Sequence, residues 1–119
     1  MKLDGQCLRL SIFIGESARL HGKPVYQLIV ERARQEGLAG ATAWRAMLGF
    51  GANSRLHTDK ILRLSEDLPV IIEIIDAEEK IQRFAPLLDE LIGEGLVTME
   101  PVRVVAYRAN PEKYFQTHA

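Results

Sequence analysis

Apolar residues recur along this chain in two rhythms, and the order of those rhythms constrains the fold more than any other feature. Over residues 6–14 the period is two. Leu8, Leu10, Ile12 and Ile14 fall on one side and Cys7, Arg9, Ser11 and Phe13 on the other, the pattern of a half-buried strand. Gly15 breaks it. His21-Gly22-Lys23-Pro24 then opens a helix in which Val25, Leu28, Ile29 and Ala33 recur at helical spacing, with Gly37 as its stop. Residues 42–48 return to period two, with Thr42, Trp44, Ala46 and Leu48 opposite Ala43, Arg45 and Met47. Residues 68–75 form the most apolar strand, with Val70, Ile72 and Ile74 on one face and Ile71 and Ile75 flanking Glu73 on the other. Asp76-Ala77-Glu78-Glu79 reads as a capping box with an Asp cap. Behind it, Ile81, Phe84, Ala85, Leu88, Leu91 and Ile92 repeat every three or four residues. Pro86 falls inside this run, which predicts a kink or a loosened turn. Residues 96–107 are the last strand, where Pro101 marks a bulge or an edge position.

The order β-α-β, long loop, β-α-β predicts an α+β domain: a ferredoxin-like βαββαβ sandwich. Its four-stranded antiparallel sheet carries both helices on one face. The 119 residues make a single domain, with a core over about 6–107 and a polar tail at 108–119. A short strand over 60–64 fits inside the long loop. Two helices cover only one sheet face. The other is expected to carry Phe13, Met47, Ile71 and Ile75, or the equivalent set if the register is inverted, a patch too apolar to leave wet. The arrangement predicts a closed oligomer, most simply a trimer with the open faces turned inward. The alternative is that the tail or the loop covers the patch.

Fifteen Lys and Arg stand against sixteen Asp and Glu, a net charge of −1, so no basic excess points to nucleic acid. The longest uncharged run is the nine residues 46–54, against roughly twenty needed to span a bilayer. The first four residues lack the apolar core of a signal peptide, and one cysteine, Cys7, suits a reducing cytoplasm.

Catalytic signals are sparse. His21, His57 and His118 are far apart, and no HExxH, CxxC or GxSxG occurs. Adjacent acids such as Glu78-Glu79 and Asp89-Glu90 diverge around a helix and read as a solvated face. One Cys and three scattered His do not make a metal site within one chain. The charge is segregated, however. Residues 45–63 hold Arg45, Arg55, Lys60 and Arg63 against Asp59, whereas residues 73–94 hold seven acids and two bases. Gly49 and Gly51 lie in the basic stretch, where their backbone N–H groups can approach an anion and Arg55 can fork onto phosphate oxygens. A hairpin tip with solvated charges is the competing reading.

Leu48-Gly49-Phe50-Gly51-Ala52-Asn53-Ser54-Arg55-Leu56-His57, Leu64-Ser65-Glu66-Asp67-Leu68-Pro69-Val70, Gly15-Glu16-Ser17 and His21-Gly22-Lys23-Pro24 together resemble an uncharacterised bacterial family of PII-like proteins, the domain of unknown function numbered one-ninety. The resemblance spans about residues 8–107. It implies a trimeric signalling protein, not an enzyme, that binds an adenine nucleotide (ADP, ATP or AMP) in clefts between subunits and needs no metal. The base of a long T-loop, here 49–67, would border the nucleotide, and the loop would dock on a membrane transporter or an enzyme. The residues at that base, Gly49, Gly51 and Arg55, are the leading nucleotide contacts, with Arg45, His57, Arg103 and Lys23 as further candidates. Two departures stand out. Tyr26, Tyr107 and Tyr114 all lie off the loop, so uridylylation is not implied. Gly93-Glu94-Gly95 is acidic where PII proteins carry a basic phosphate loop. Two other functions are open: a metal-binding trimer like the divalent-cation-tolerance proteins, which share the architecture, and a small nucleotide hydrolase in which Glu16 or His57 activates water.

Overall fold

The computed structural model describes residues 5–50 and 67–109. The elements are β1 (Gly5–Gly15), β2 (Arg19–Leu20), β3 (Lys23–Pro24), α1 (Val25–Gln35), β4 (Thr42–Arg45), β5 (Pro69–Asp76), α2 (Glu78–Phe84), a 3₁₀ helix (Ala85–Glu90) and β6 (Leu96–Val104). Four strands form one antiparallel sheet in the order β4-β5-β1-β6, the ferredoxin-like arrangement that the order of elements predicts.

The sheet's inner face is the one the alternation picks out. Leu10, Ile12 and Ile14 of β1 and Val70, Ile72 and Ile74 of β5 are buried, with Leu8 packed at the margin. Val25, Ile29 and Ala33 of α1, Ile81 and Phe84 of α2, and Leu88 of the 3₁₀ helix close over them. Each large side chain so buried contributes about 1.5–3 kcal/mol. At Pro86 the α-helix gives way to 3₁₀ geometry, with the proline in its first turn, because a proline deeper in an α-helix would forfeit a hydrogen bond. Pro101 lies opposite Leu8 on the edge strand β6, where a missing N–H is tolerated.

Three local readings change. His21-Gly22-Lys23-Pro24 is the turn of a small hairpin rather than the opening turn of α1. His21 (φ 53°) and Gly22 (φ 79°) both have left-handed backbone, as a two-residue turn between β2 and β3 requires. Pro24 is the N-cap of α1, and its ring, not a side-chain hydrogen bond, sets the entry. The capping box also does not form. Ala77 is the N-cap of α2 and receives no side-chain cap. Asp76, fully buried, instead accepts from Ala77 N at 2.6 Å and from Ala39 N at 2.8 Å. Finally, β4 stops at Arg45 rather than at residue 48. Ala46 N donates to Pro69 O at 2.9 Å, but Pro69 has no N–H to return the bond, so the ladder ends there.

Gly37 does stop α1. At φ 77° it stands where Leu38 N reaches Ala33 O (3.1 Å) and Gly37 N reaches Arg34 O (3.1 Å), a Schellman closure.

The outer sheet face is ordered in rows. Trp44, Ile71, Phe13 and Leu96 are directly opposite one another across all four strands. Trp44 thus takes the place expected for Met47, which lies beyond β4 and is almost wholly exposed. A polar row, Thr42-Glu73-Ser11-Thr98, comes next, followed by Ile75-Arg9-Glu100. Arg9 there pairs with Glu100 and lies 3.9 Å from Glu73. The expected strand over 60–64 and most of the tail lie outside the described residues.

Candidate functional site at the root of the long loop

Both ends of the loop between β4 and β5 are fastened to one tripeptide, Gly15-Glu16-Ser17, where β1 terminates. On the β4 side the Arg45 guanidinium forms an ion pair with the Glu16 carboxylate. On the β5 side Glu16 N donates to Leu68 O at 2.9 Å and Ser17 N donates to the Asp67 carboxylate at 3.0 Å. Glycine at position 15 makes the second clasp possible, since a β-carbon there would stand 2.8 Å from Asp67 Oδ1. Gly49 is likewise held close: its β-carbon position is 3.0 Å from the Pro69 ring. Gly49 thus has a packing role beside the anion-approach role read from the sequence.

Next to this clasp opens a cleft of about 590 Å³, within the size range of small-molecule sites. Its wall mixes apolar side chains such as Leu20, Val25 and Ile92 with Ser17, Arg19 and the carboxylates of Asp67, Asp89, Glu90 and Glu94. Carboxylates outnumber the single guanidinium, so this wall suits hydroxyl and amino groups better than bare phosphate. The acidic Gly93-Glu94-Gly95 turn belongs to it because Gly95 lets β6 approach β1: a β-carbon there would be 2.7 Å from Phe13 O.

Arg45, Gly49 and Lys23 all lie at this end of the sheet. Lys23 is exposed on the β2–β3 hairpin, two residues before α1 rather than within its first turn. Arg103 is elsewhere. It faces Gln6, nine positions from Gly15, or about 30 Å along β1 at roughly 3.3 Å per residue. Gly51, Arg55 and His57 lie outside the described residues. Glu16 and Asp67 were not among the expected ligand contacts. The sequence offers Glu16 as a water activator and Asp67 as part of a family-like stretch, but neither as a clasp, because the clasp comes from two segments fifty residues apart meeting in space. Among the described residues no three His, Cys, Asp or Glu side chains gather as metal ligands, and no helix is long and apolar enough to cross a membrane.

The fold is that of PII-like proteins. It is that of the CPII protein from Thiomonas intermedia K12 solved with ADP, AMP and acetate (TM-score 0.60, 16% identity, 95% of this chain and 97% of that one). It is also that of the Bacillus subtilis GlnK–ATP complex (TM-score 0.53, 16% identity, 85% of each). The chain belongs to the DUF190 family, described as an uncharacterized ACR, whose model matches residues 7–104. A UPF0166 protein of Aquifex aeolicus is 45% identical over 98 residues, covering 81% of this chain and 90% of that protein.

Proposed function

We propose that this protein is a non-enzymatic, cytoplasmic PII-like regulator. Three copies assemble with their outer sheet faces inward. An adenine nucleotide (ADP, ATP or AMP) binds without an obligatory metal in the cleft where each loop root meets the neighbouring subunit. One observation carries the reading: the chain has, over 95% of its length, the fold of a protein solved with ADP and AMP, and a cleft of nucleotide dimensions opens beside its loop root.

The charge distribution orients the ligand. The acidic wall accepts ribose hydroxyls and the adenine amine. The phosphates point toward Lys23, Arg45 and the backbone at Gly49, with Gly51, Arg55 and His57 supplied by the loop. Arg103, remote from this cleft in its own chain, reaches one only from a neighbouring subunit. Nucleotide binding then biases the loop over 49–67 between two arrangements, and its affinity for a membrane transporter or an enzyme follows from the difference in ligand affinity between them. The apolar row Trp44-Ile71-Phe13-Leu96 supports assembly, because a lone chain leaves it wet.

Calorimetric titration with ATP, ADP and AMP, with light scattering on the same sample, tests this. The expected result is saturable binding of at least one nucleotide by a particle three times 13.4 kDa, with no turnover. At 100 times Kd the ligand adds about 2.7 kcal/mol to stability, seen as a rise in Tm. A monomer that ignores all three nucleotides refutes the proposal. Stabilisation by a divalent cation alone would favour the metal-binding trimer, and hydrolysis would favour an enzyme.

A further inference from the structure

We infer that Glu16 is an internal competitor for the anion at Arg45, and that it sets how tightly the site holds a phosphate-bearing ligand. The inference rests on the nucleotide reading above and adds a residue that opposes binding. Arg45 is the last residue of β4, with its side chain 60% exposed, and its guanidinium is engaged by the Glu16 carboxylate. Glu16 is only 24% exposed, and its backbone is fixed by the bond from its N–H to Leu68 O at 2.9 Å. The carboxylate is therefore presented to Arg45 by a constrained main chain, not by a wandering surface residue.

A carboxylate and a phosphate meet a guanidinium through the same fork of N–H donors. A phosphate approaching Arg45 must share that fork with Glu16 or displace it, and it meets the negative charge of Glu16 either way. If displaced, Glu16 remains tied to the backbone that also binds Asp67. A change of partner at the β4 root is thereby transmitted to the β5 root through Gly15-Glu16-Ser17. The same carboxylate that holds the loop root closed without a ligand raises the ligand concentration needed to occupy the site.

ADP is titrated at low ionic strength into the full-length wild type and into Glu16→Gln, Arg45→Ala and the double variant, each first checked by thermal melting. Glu16→Gln keeps the shape and removes the charge. It is expected to tighten ADP about two- to fivefold, the range for a partly exposed ion pair. Arg45→Ala is expected to weaken ADP at least about tenfold, and Glu16→Gln is then expected to have no effect in that background. Glu16→Ala serves as the second variant and gives the same tightening. If the wild type binds ADP and both Glu16 variants bind equally or more weakly, the inference is overturned while the nucleotide reading stands. If the Glu16 effect persists without Arg45, Glu16 does not act through Arg45, and the inference falls in the same way. If no protein binds ADP, the same titrations are run with ATP and AMP, and both fall together only when none of the three binds.

Discussion

Asp76→Ala removes the buried carboxylate that ties three segments together. Asp76 ends β5 with no exposed surface, and its two oxygens accept from Ala39 N at 2.8 Å and Ala77 N at 2.6 Å. It joins the segment after α1 to the start of α2. Two further bonds converge there: Lys80 Nζ donates to Gly37 O at 2.8 Å and Tyr107 Oη to Ala39 O at 3.2 Å. A hydrogen bond to a charged group is worth about 1.5–3 kcal/mol, and alanine removes two while leaving two amides short. Relief of the carboxylate's desolvation offsets part of that loss. The expected net loss is about 2–4 kcal/mol, a large share of a typical total of roughly 5–15 kcal/mol. Asp76→Asn keeps one acceptor but turns an amino group toward a donor, so it should fall between wild type and alanine. Urea unfolding gives the answer as a shift in midpoint at unchanged slope. A loss under about 1 kcal/mol for Asp76→Ala would show that the carboxylate is not the tether described.

Three further outcomes are expected. Gly95→Ala should destabilise by about 1–3 kcal/mol in the same unfolding assay, because its β-carbon would meet the Phe13 carbonyl at 2.7 Å and Ile14 Cγ2 at 2.8 Å; neutral behaviour would show that β6 shifts without cost. Phe13→Asp, placed in the centre of the apolar row, should lower the mass measured by light scattering while the far-ultraviolet circular dichroism stays native, since Phe13 is 37% exposed in the single chain. Arg55→Ala should weaken nucleotide binding by about 1.5–3 kcal/mol, and an unchanged titration curve would remove Arg55 from the site.

Where local chemistry decides the structure, the sequence was enough. The alternation of Leu10, Ile12 and Ile14 marks the buried face of β1, Gly37 ends α1, and Pro86 forces the change to 3₁₀ geometry. It was misleading where a local signal served a different neighbour. Pro24 looks like a first-turn residue, yet His21 and Gly22 use their positive φ to make a hairpin just before it. Asp76 looks like a cap, but it points across to Ala39, a partner that no local window contains. The alternation over residues 42–45 was correct, but the strand ended before Met47 and which side faced outward depended on pairing with β5, and so Trp44 rather than Met47 joined the apolar row. The site was the least legible part. Arg45 and Gly49 are at the loop root as charge and glycine content suggest, but the clasp depends on Glu16 reaching Arg45 and on Ser17 N reaching Asp67 across fifty positions.

The bond from Ala46 N to Pro69 O has a consequence for how such a domain can diversify. Its two exits leave the sheet side by side, so residues 47–68 form a closed excursion whose ends are already joined. Doubling the length of such an excursion adds only about 0.6 kcal/mol of closure entropy. A lineage built on this frame can therefore rewrite a single stretch of coding sequence while the sheet and its two joined exits stay as they are.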